Sequence, residues 1–302
     1  MEDFFKGKSG QYFTPREIVN FAIKMMDIKN DDLVLDPACG SGGFLLHALD
    51  EVRHQANEYY PQKDGQEETA EHKMYWHTFA QNNLFGIEIN DSIARVAKMN
   101  MIIHDDGHTN VIGFDALEDI DKMNRKNTGF DRDRFDVIVT NPPFGANVKA
   151  SEHPYLKKFE LGKKKNKDGK DKNMKNQKTE ILFIERCIDF LKPGVGKMAI
   201  VLPDGILTNS SLQYVRDFLM EKTQILAVVS LPQFAFTHFG AGVKSSLVFV
   251  RKKADNEKLG KYPIFMAIAE HIGYDAAGRK DPKNDLSKIC EEFKKFKSKN
   301  NF

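Results

Sequence analysis

The stretch VLDPACGSGGFLLHAL, residues 34–49, decides how the fold is read. A short apolar run ends on an acid, Asp36. Gly40, Gly42 and Gly43 follow, and then an apolar-periodic stretch that reads as a helix over residues 43–59. A strand that turns on glycines into a helix lets a ligand approach the backbone at the C-terminal edge of a sheet, where open α/β folds bind nucleotides. The dinucleotide fingerprint G-x-G-x-x-G is absent, because Gly40-Ser41-Gly42-Gly43 runs straight into Phe44-Leu45. A glycine-rich turn often does no more than join two elements, so the rest of the chain has to decide.

On both sides of this turn, short β-branched apolar runs alternate with helical patterns. That is the signature of an α/β fold with a mostly parallel sheet and crossover helices. Seven strands are predicted, at residues 33–35, 84–87, 111–113, 135–139, 198–202, 226–230 and 246–250. Helices are predicted over 15–26, 43–59, 92–104, 180–191 and 211–221. The first is signed by Thr14 as N-cap, Pro15 at the first helical position and Glu17 closing a T-x-x-E box. Met74, Tyr75, Trp76 and Phe79 predict a packed helix inserted before the second strand. Residues 261–275 add one more strand and a turn, and 286–296 reads as a short basic helix.

Two more strand ends carry acids. FGIEIN places Glu88 where a carboxylate accepts hydrogen bonds from the hydroxyls of a ribose. VIGFDAL places Asp115 within reach of an adenine amino group. Taken singly, each acid is an ordinary turn or surface residue. Three acids at three successive strand ends outline one adenosine-shaped pocket.

The fourth strand ends in Asn141-Pro142-Pro143-Phe144. The exocyclic amine of adenine is a poor nucleophile, since its lone pair is delocalised into the ring, and attack on an electrophilic methyl requires it to rehybridise. Acceptors aimed at its hydrogens, the Asn141 side-chain oxygen and the Pro142 carbonyl, favour that change as positive charge develops. The prolines hold the backbone in place, and Phe144 offers a face to a base that has left its duplex. No general base of tuned pKa is required, because the amine proton becomes acidic after methyl transfer. A Pro-Pro turn ending a strand accounts for the prolines but not for the whole set.

Composition bounds the function classes. The chain has 302 residues, 41% of them hydrophobic, enough for a real core. No run of 18 apolar residues occurs and the first residues lack the apolar core of a signal peptide, which predicts a cytoplasmic protein with no membrane partner. Cys39, Cys187 and Cys290 are far apart and odd in number, and the histidines show no metal-ligand spacing, so neither disulfide nor metal is expected. Net charge is only +2, but residues 157–178 hold ten lysines against Glu160, Asp168 and Asp171. So polar a segment reads as a mobile loop, solvated or meeting phosphates.

Five segments carry a family resemblance: GQYFTPREIV (10–19), DPACGSGGFL (36–45), NPPFG (141–145), LPDGIL (202–207) and LPQFAFTHFGAGVKSSLVFV (231–250). Together they resemble the catalytic core of amino-group adenine DNA methyltransferases of the γ group, in particular the modification (M) subunit of type I restriction-modification systems. The resemblance covers residue 7 to about residue 275. It implies a Rossmann-like S-adenosylmethionine-dependent fold with helices on both faces of a seven-stranded sheet. A catalytic domain would span 1–275, including the lysine-rich loop 157–178, with a C-terminal extension over 276–302.

Residue by residue, the resemblance implies cofactor contacts from Gln11, Tyr12, Phe13, Thr14 and Pro15 and from Asp36, Gly40, Ser41 and Gly42 at the methionine end. Glu88 would hold the ribose and Asp115 the adenine, with Asn141, Pro142, Pro143 and Phe144 as the catalytic tetrapeptide. The implied partners are double-stranded DNA with an extruded adenine, a DNA-specificity (S) subunit and a restriction/translocase (R) subunit. Family members usually carry a helical domain ahead of this core and a longer helical tail after it, so a truncated, split or minimal form is expected here. Two other readings stand beside it: a protein-glutamine or RNA N-methyltransferase, and a non-catalytic scaffold that binds cofactor and DNA.

Overall fold

The computed structural model describes residues 13–61, 68–104, 110–165, 170–240 and 242–300, with Lys165 and Phe239 described by their backbone alone. Eight strands form the main sheet: β1 (Val34–Asp36), β2 (Leu84–Glu88), β3 (Val111–Gly113), β4 (Val137–Thr140), β5 (Lys197–Pro203), β6 (Thr223–Ser230), β7 (Ser245–Lys252) and β8 (Phe265–Ile268). Their order across the sheet is β8-β6-β7-β5-β4-β1-β2-β3. Pairings are parallel except that β7 runs against both its neighbours, β5 and β6.

The sheet therefore has eight strands where the resemblance implies seven. The additional strand comes from the 261–275 segment, which pairs through β8 with the edge of β6 that β7 leaves free. Phe265 and Ala267 turn toward the core, while Met266 and Ile268 face outward.

Period-two alternation divides the core. Val137 and Val139 of β4 face one apolar layer and Ile138 the other; Ala199 and Val201 of β5 oppose Met198, Ile200 and Leu202 in the same way. The first layer is covered by α1 (Arg16–Met26), α2 (Gly43–Tyr59), α3 (Ala70–Asn83), part of α4 (Asp91–Ile103) and the C-terminal helix. The second is covered by α5 (Ile120–Lys126), α6 (Thr179–Phe190) and α8 (Gln213–Lys222), with the short α7 (Asp204–Thr208) near its rim. The C-terminal helix, α9 (Leu286–Asn300), packs Phe293 against Phe249 and Phe265, so residues beyond 275 share the core of the preceding domain.

Several local expectations shift. Pro15, not Thr14, occupies the N-cap of α1 and adopts extended ψ, so the helix begins at Arg16 without a side-chain cap and the T-x-x-E box does not form. Asn90 caps α4 by accepting from the Ser92 and Ile93 amides. In α3, Trp76 and Phe79 are buried as expected, but Met74 lies on the solvent side. Phe135 precedes β4 and makes one isolated bridge to Leu191; its ring packs edge-on against Phe85 and Phe190.

The lysine-rich stretch holds more regular structure than its composition predicts. Lys163–Lys165 pairs antiparallel with Asp171–Asn173, and Asn176–Lys178 pairs with Asn147–Lys149. Its anchors are apolar: Leu156, Phe159 and Leu161 are buried. Residues 166–169, the middle of the expected mobile loop, lie outside the described residues. Among the described residues, no helix is long and apolar enough to cross a membrane, and no group of His, Cys, Asp and Glu is placed to hold a metal ion.

Candidate functional site

Chain order reverses between β1 and β4: from β1 the strands run outward through β2 to β3, then return to β4 on the other side. At such a switch point the connections leave in opposite directions and open a crevice at the C-terminal strand ends. A cavity of about 570 Å³ lies there. Asp115, Glu88, Asp36 and Asn141 follow one another along its floor in the spatial order of β3, β2, β1 and β4.

Asp36 ends β1 and is almost fully buried. Its Oδ1 accepts from the Thr140 hydroxyl at 2.7 Å and from the Ala38 amide at 3.0 Å. Burial nonetheless pushes its carboxyl up to about 7, with Glu88 adding to the rise. Such a group gains most from a cationic ligand, which offsets the cost of holding charge away from water. Glu88, also buried, accepts from the Gly40 amide at 3.1 Å through Oε2 and from the Asn90 amide at 2.8 Å through Oε1. It thereby ties the glycine turn after β1 to the end of β2.

Gly40 has φ +53, and a Cβ placed on it would meet nothing within 4 Å. The position is left-handed and open, so a ligand can lie against the backbone there. Ser41 also lines the cavity. Gly42 does not: its missing Cβ faces Met101 and Ala97 of α4, so it serves the entry into α2 rather than the cleft.

Asp115 follows β3 by two residues. Its Oδ1 accepts from the Leu117 amide at 3.0 Å and its Oδ2 from the Tyr155 hydroxyl at 2.7 Å. Burial and the adjacent Asp115 charge hold the Tyr155 hydroxyl protonated far above the usual phenol range.

Asn141 lies across the switch point. Its Nδ2 donates to Thr14 Oγ1 at 3.0 Å, while its Oδ1 is buried and has no hydrogen-bond partner among the described residues. An unsatisfied buried acceptor is costly, and here it borders the cavity. Pro142, Pro143 and Phe144 line the same wall, with Phe13 and Thr14 beside them. Pro15 supports α1 and does not line the cavity, and Gln11 and Tyr12 lie outside the described residues. The segment beyond Phe144 is braced by buried Glu180, whose Oε2 accepts from the Gly145 amide at 3.1 Å; burial raises this carboxyl too.

A family model for N-6 DNA methylases matches residues 1–302. The chain belongs to this family. The chain is 28% identical over 264 residues to the type I restriction enzyme EcoEI methylase subunit of Escherichia coli, covering 85% of this chain and 45% of that protein. It is 27% identical over 311 residues to the type I restriction enzyme MpnII methylase subunit of Mycoplasma pneumoniae, covering 98% and 50%. The crystal structure of the methyltransferase subunit of a type I restriction-modification system from Streptococcus thermophilus superposes with a TM-score of 0.61 at 23% identity, over 97% of this chain and 55% of that one. That likeness establishes the fold. The chain spans about half the length of the curated relatives it matches.

Tyr155, Thr140, Phe183 and Phe236 line or brace the cleft although no motif reading singles them out for a role. Phe236 falls inside the LPQFAF segment, whose aromatic spacing was the available signal. Tyr155 carried none, because its link to Asp115 spans 40 residues.

Proposed function

We propose that this chain is the catalytic core of a type I modification subunit, which transfers a methyl group from S-adenosylmethionine to N6 of an adenine extruded from DNA. One observation carries the reading: Asn141 Oδ1 is buried and unpartnered at the switch point, beside an adenosine-shaped row of acids. When bound, S-adenosylmethionine supplies an electrophilic methyl on a sulfonium. Asp36 would hold the cationic methionine end, Glu88 the ribose hydroxyls and Asp115 the adenine amine, with Gly40 giving room against the backbone.

On the other side of the cleft, Asn141 Oδ1 would accept a hydrogen bond from the target amine and so stabilise the charge that grows on it in the transition state. Thr14 receives the opposite end of the amide and keeps it from turning. Phe144 and the prolines would hold the flipped base flat. The family match favours DNA over a protein glutamine or RNA, and the lysine-rich segment favours a nucleic acid over a protein. A DNA-specificity subunit and a restriction/translocase subunit are the proposed partners, by analogy with the type I relatives, and the proposed compartment is the cytoplasm.

Asn141→Ala tests the reading. Cofactor affinity by calorimetric titration should stay within about twofold, while tritium transfer to duplex DNA, assayed with the specificity subunit, should fall by about two to three orders of magnitude. Transfer at the wild-type rate would remove Asn141 from catalysis.

A further inference from the structure

Lys164 and Lys172 are directly opposed on the antiparallel pair formed by Lys163–Lys165 and Asp171–Asn173. Opposed residues on such a pair hold their Cβ atoms about 5 Å apart, and like charges at that spacing repel. Both side chains are exposed, and like those of Lys163 and Lys175 they make no hydrogen bond or ion pair to any described residue. A two-stranded element is marginal in water, so a repelling pair at its middle works against its formation.

The element is nonetheless firmly braced. The Glu160 and Leu161 amides donate to the buried Glu185 carboxylate, both at 2.7 Å, and the Met174 amide donates to the Gly162 carbonyl. Gln177, also buried, donates to the Leu161 carbonyl and to the Tyr214 hydroxyl. The adjoining pair, Asn147–Lys149 with Asn176–Lys178, begins three residues after Phe144, and Asn147 and Val148 line the cleft. Unpaired cations are thus presented on a braced arm rooted at the mouth of the site.

We infer that this hairpin grips the sugar-phosphate backbone of duplex DNA beside the extruded base, with phosphates neutralising the Lys164 and Lys172 charges. The inference rests on the proposed DNA substrate and adds to it a binding surface outside the pocket. Phosphate contacts position a duplex without reading its sequence, so the arm would supply affinity and orientation at any site.

The test compares three forms of the full chain: wild type, a hairpin variant (Lys163→Gln, Lys164→Gln, Lys172→Gln and Lys175→Gln) and a control variant that removes equal charge from α9 (Lys288→Gln, Lys294→Gln, Lys295→Gln and Lys299→Gln). Binding to a fluorescein-labelled 30-base-pair duplex is followed by anisotropy across a potassium chloride series, with S-adenosylhomocysteine affinity and thermal midpoint as fold controls. The slope of log affinity against log salt should flatten by about 0.9 for each phosphate that the protein no longer neutralises, so by roughly two to four in the hairpin variant alone. An equal slope in all three forms, equal flattening in both variants, or no duplex binding by the wild type at low salt would each overturn the inference. Methyl transfer by the wild type, assayed with the specificity subunit, is scored separately: transfer with an unchanged hairpin slope defeats the arm alone, and a flattened slope without transfer defeats the proposed reaction alone.

Discussion

The Thr140 hydroxyl donates to Asp36 Oδ1 at 2.7 Å, so the last residue of β4 holds the last residue of β1 across the switch point. One hydroxyl thereby joins the acid on the proposed cofactor side of the cleft to the segment that carries Asn141. The bond is fully buried and favours the charged form of Asp36 against the burial that opposes it.

Thr140→Val keeps the shape of the side chain and removes this donor. Hydrogen bonds to charged groups contribute roughly 1.5–3 kcal/mol, so cofactor affinity at pH 7 should fall about tenfold or more. The deficit should shrink at pH 9, where Asp36 is ionised regardless. Titration calorimetry at the two pH values checks this, and an unchanged affinity at pH 7 would sink the argument.

Cofactor binding should also depend on pH through Asp36 itself. Its carboxyl lies at about 7 in the free chain, raised from an ordinary 3.8, and a cation binds its ionised form better. Affinity should therefore climb between pH 6 and pH 8, with proton release on binding at pH 6. For folding the sign is opposite: a raised acid means that the folded chain keeps its proton where the unfolded chain has lost it. Stability of the free chain should thus decline as pH rises from about 4 through 7. Asp36→Asn should abolish the pH dependence of cofactor binding and reduce that of stability, to which the raised Glu180 and Glu185 carboxyls also contribute; a mutant whose binding keeps the dependence would assign the proton to another group.

Tyr155→Phe deletes the hydroxyl that Asp115 Oδ2 accepts from. With one constraint removed, the carboxylate is free to turn away from the adenine it is proposed to hold, and cofactor affinity should drop by about 1 kcal/mol, roughly fivefold. Near-ultraviolet circular dichroism should show the fold intact. Wild-type affinity in this variant would leave Tyr155 as packing only.

Phe135→Ala should cost stability rather than chemistry. The ring is fully buried and packs edge-on against Phe85 and Phe190, a setting in which truncation costs about 3–5 kcal/mol. Urea unfolding reads the loss, and cofactor affinity of the folded fraction should not change.

The sequence alone placed most of the main-sheet strands and the longer helices. Alternation in β4 and β5 and the 3.6-residue period of α1 are short-range signals, carried by neighbours along the chain. The acids at strand ends and the Asn141–Phe144 segment are legible for the same reason. Where local cues competed, reading slipped by a residue or two: Pro15 took the cap position from Thr14, and Asn90 moved the start of α4. Composition carries no sign of the strand pairs in the lysine-rich stretch, because the groups that hydrogen-bond its ends, Glu185 and Tyr214, are supplied from elsewhere in the chain.

What only the tertiary structure decided is which distant residues meet. Sheet order puts β4 beside β1 and so puts Thr140 on Asp36, 104 residues apart. The same order brings Thr14 to Asn141 across 127 residues and Tyr155 to Asp115 across 40. It also gives β6 the free edge that β8 occupies. None of these meetings leaves a periodic trace in the chain, because each depends on how strands lie side by side, and that is settled by burying two apolar layers at once rather than by any local preference of the residues involved.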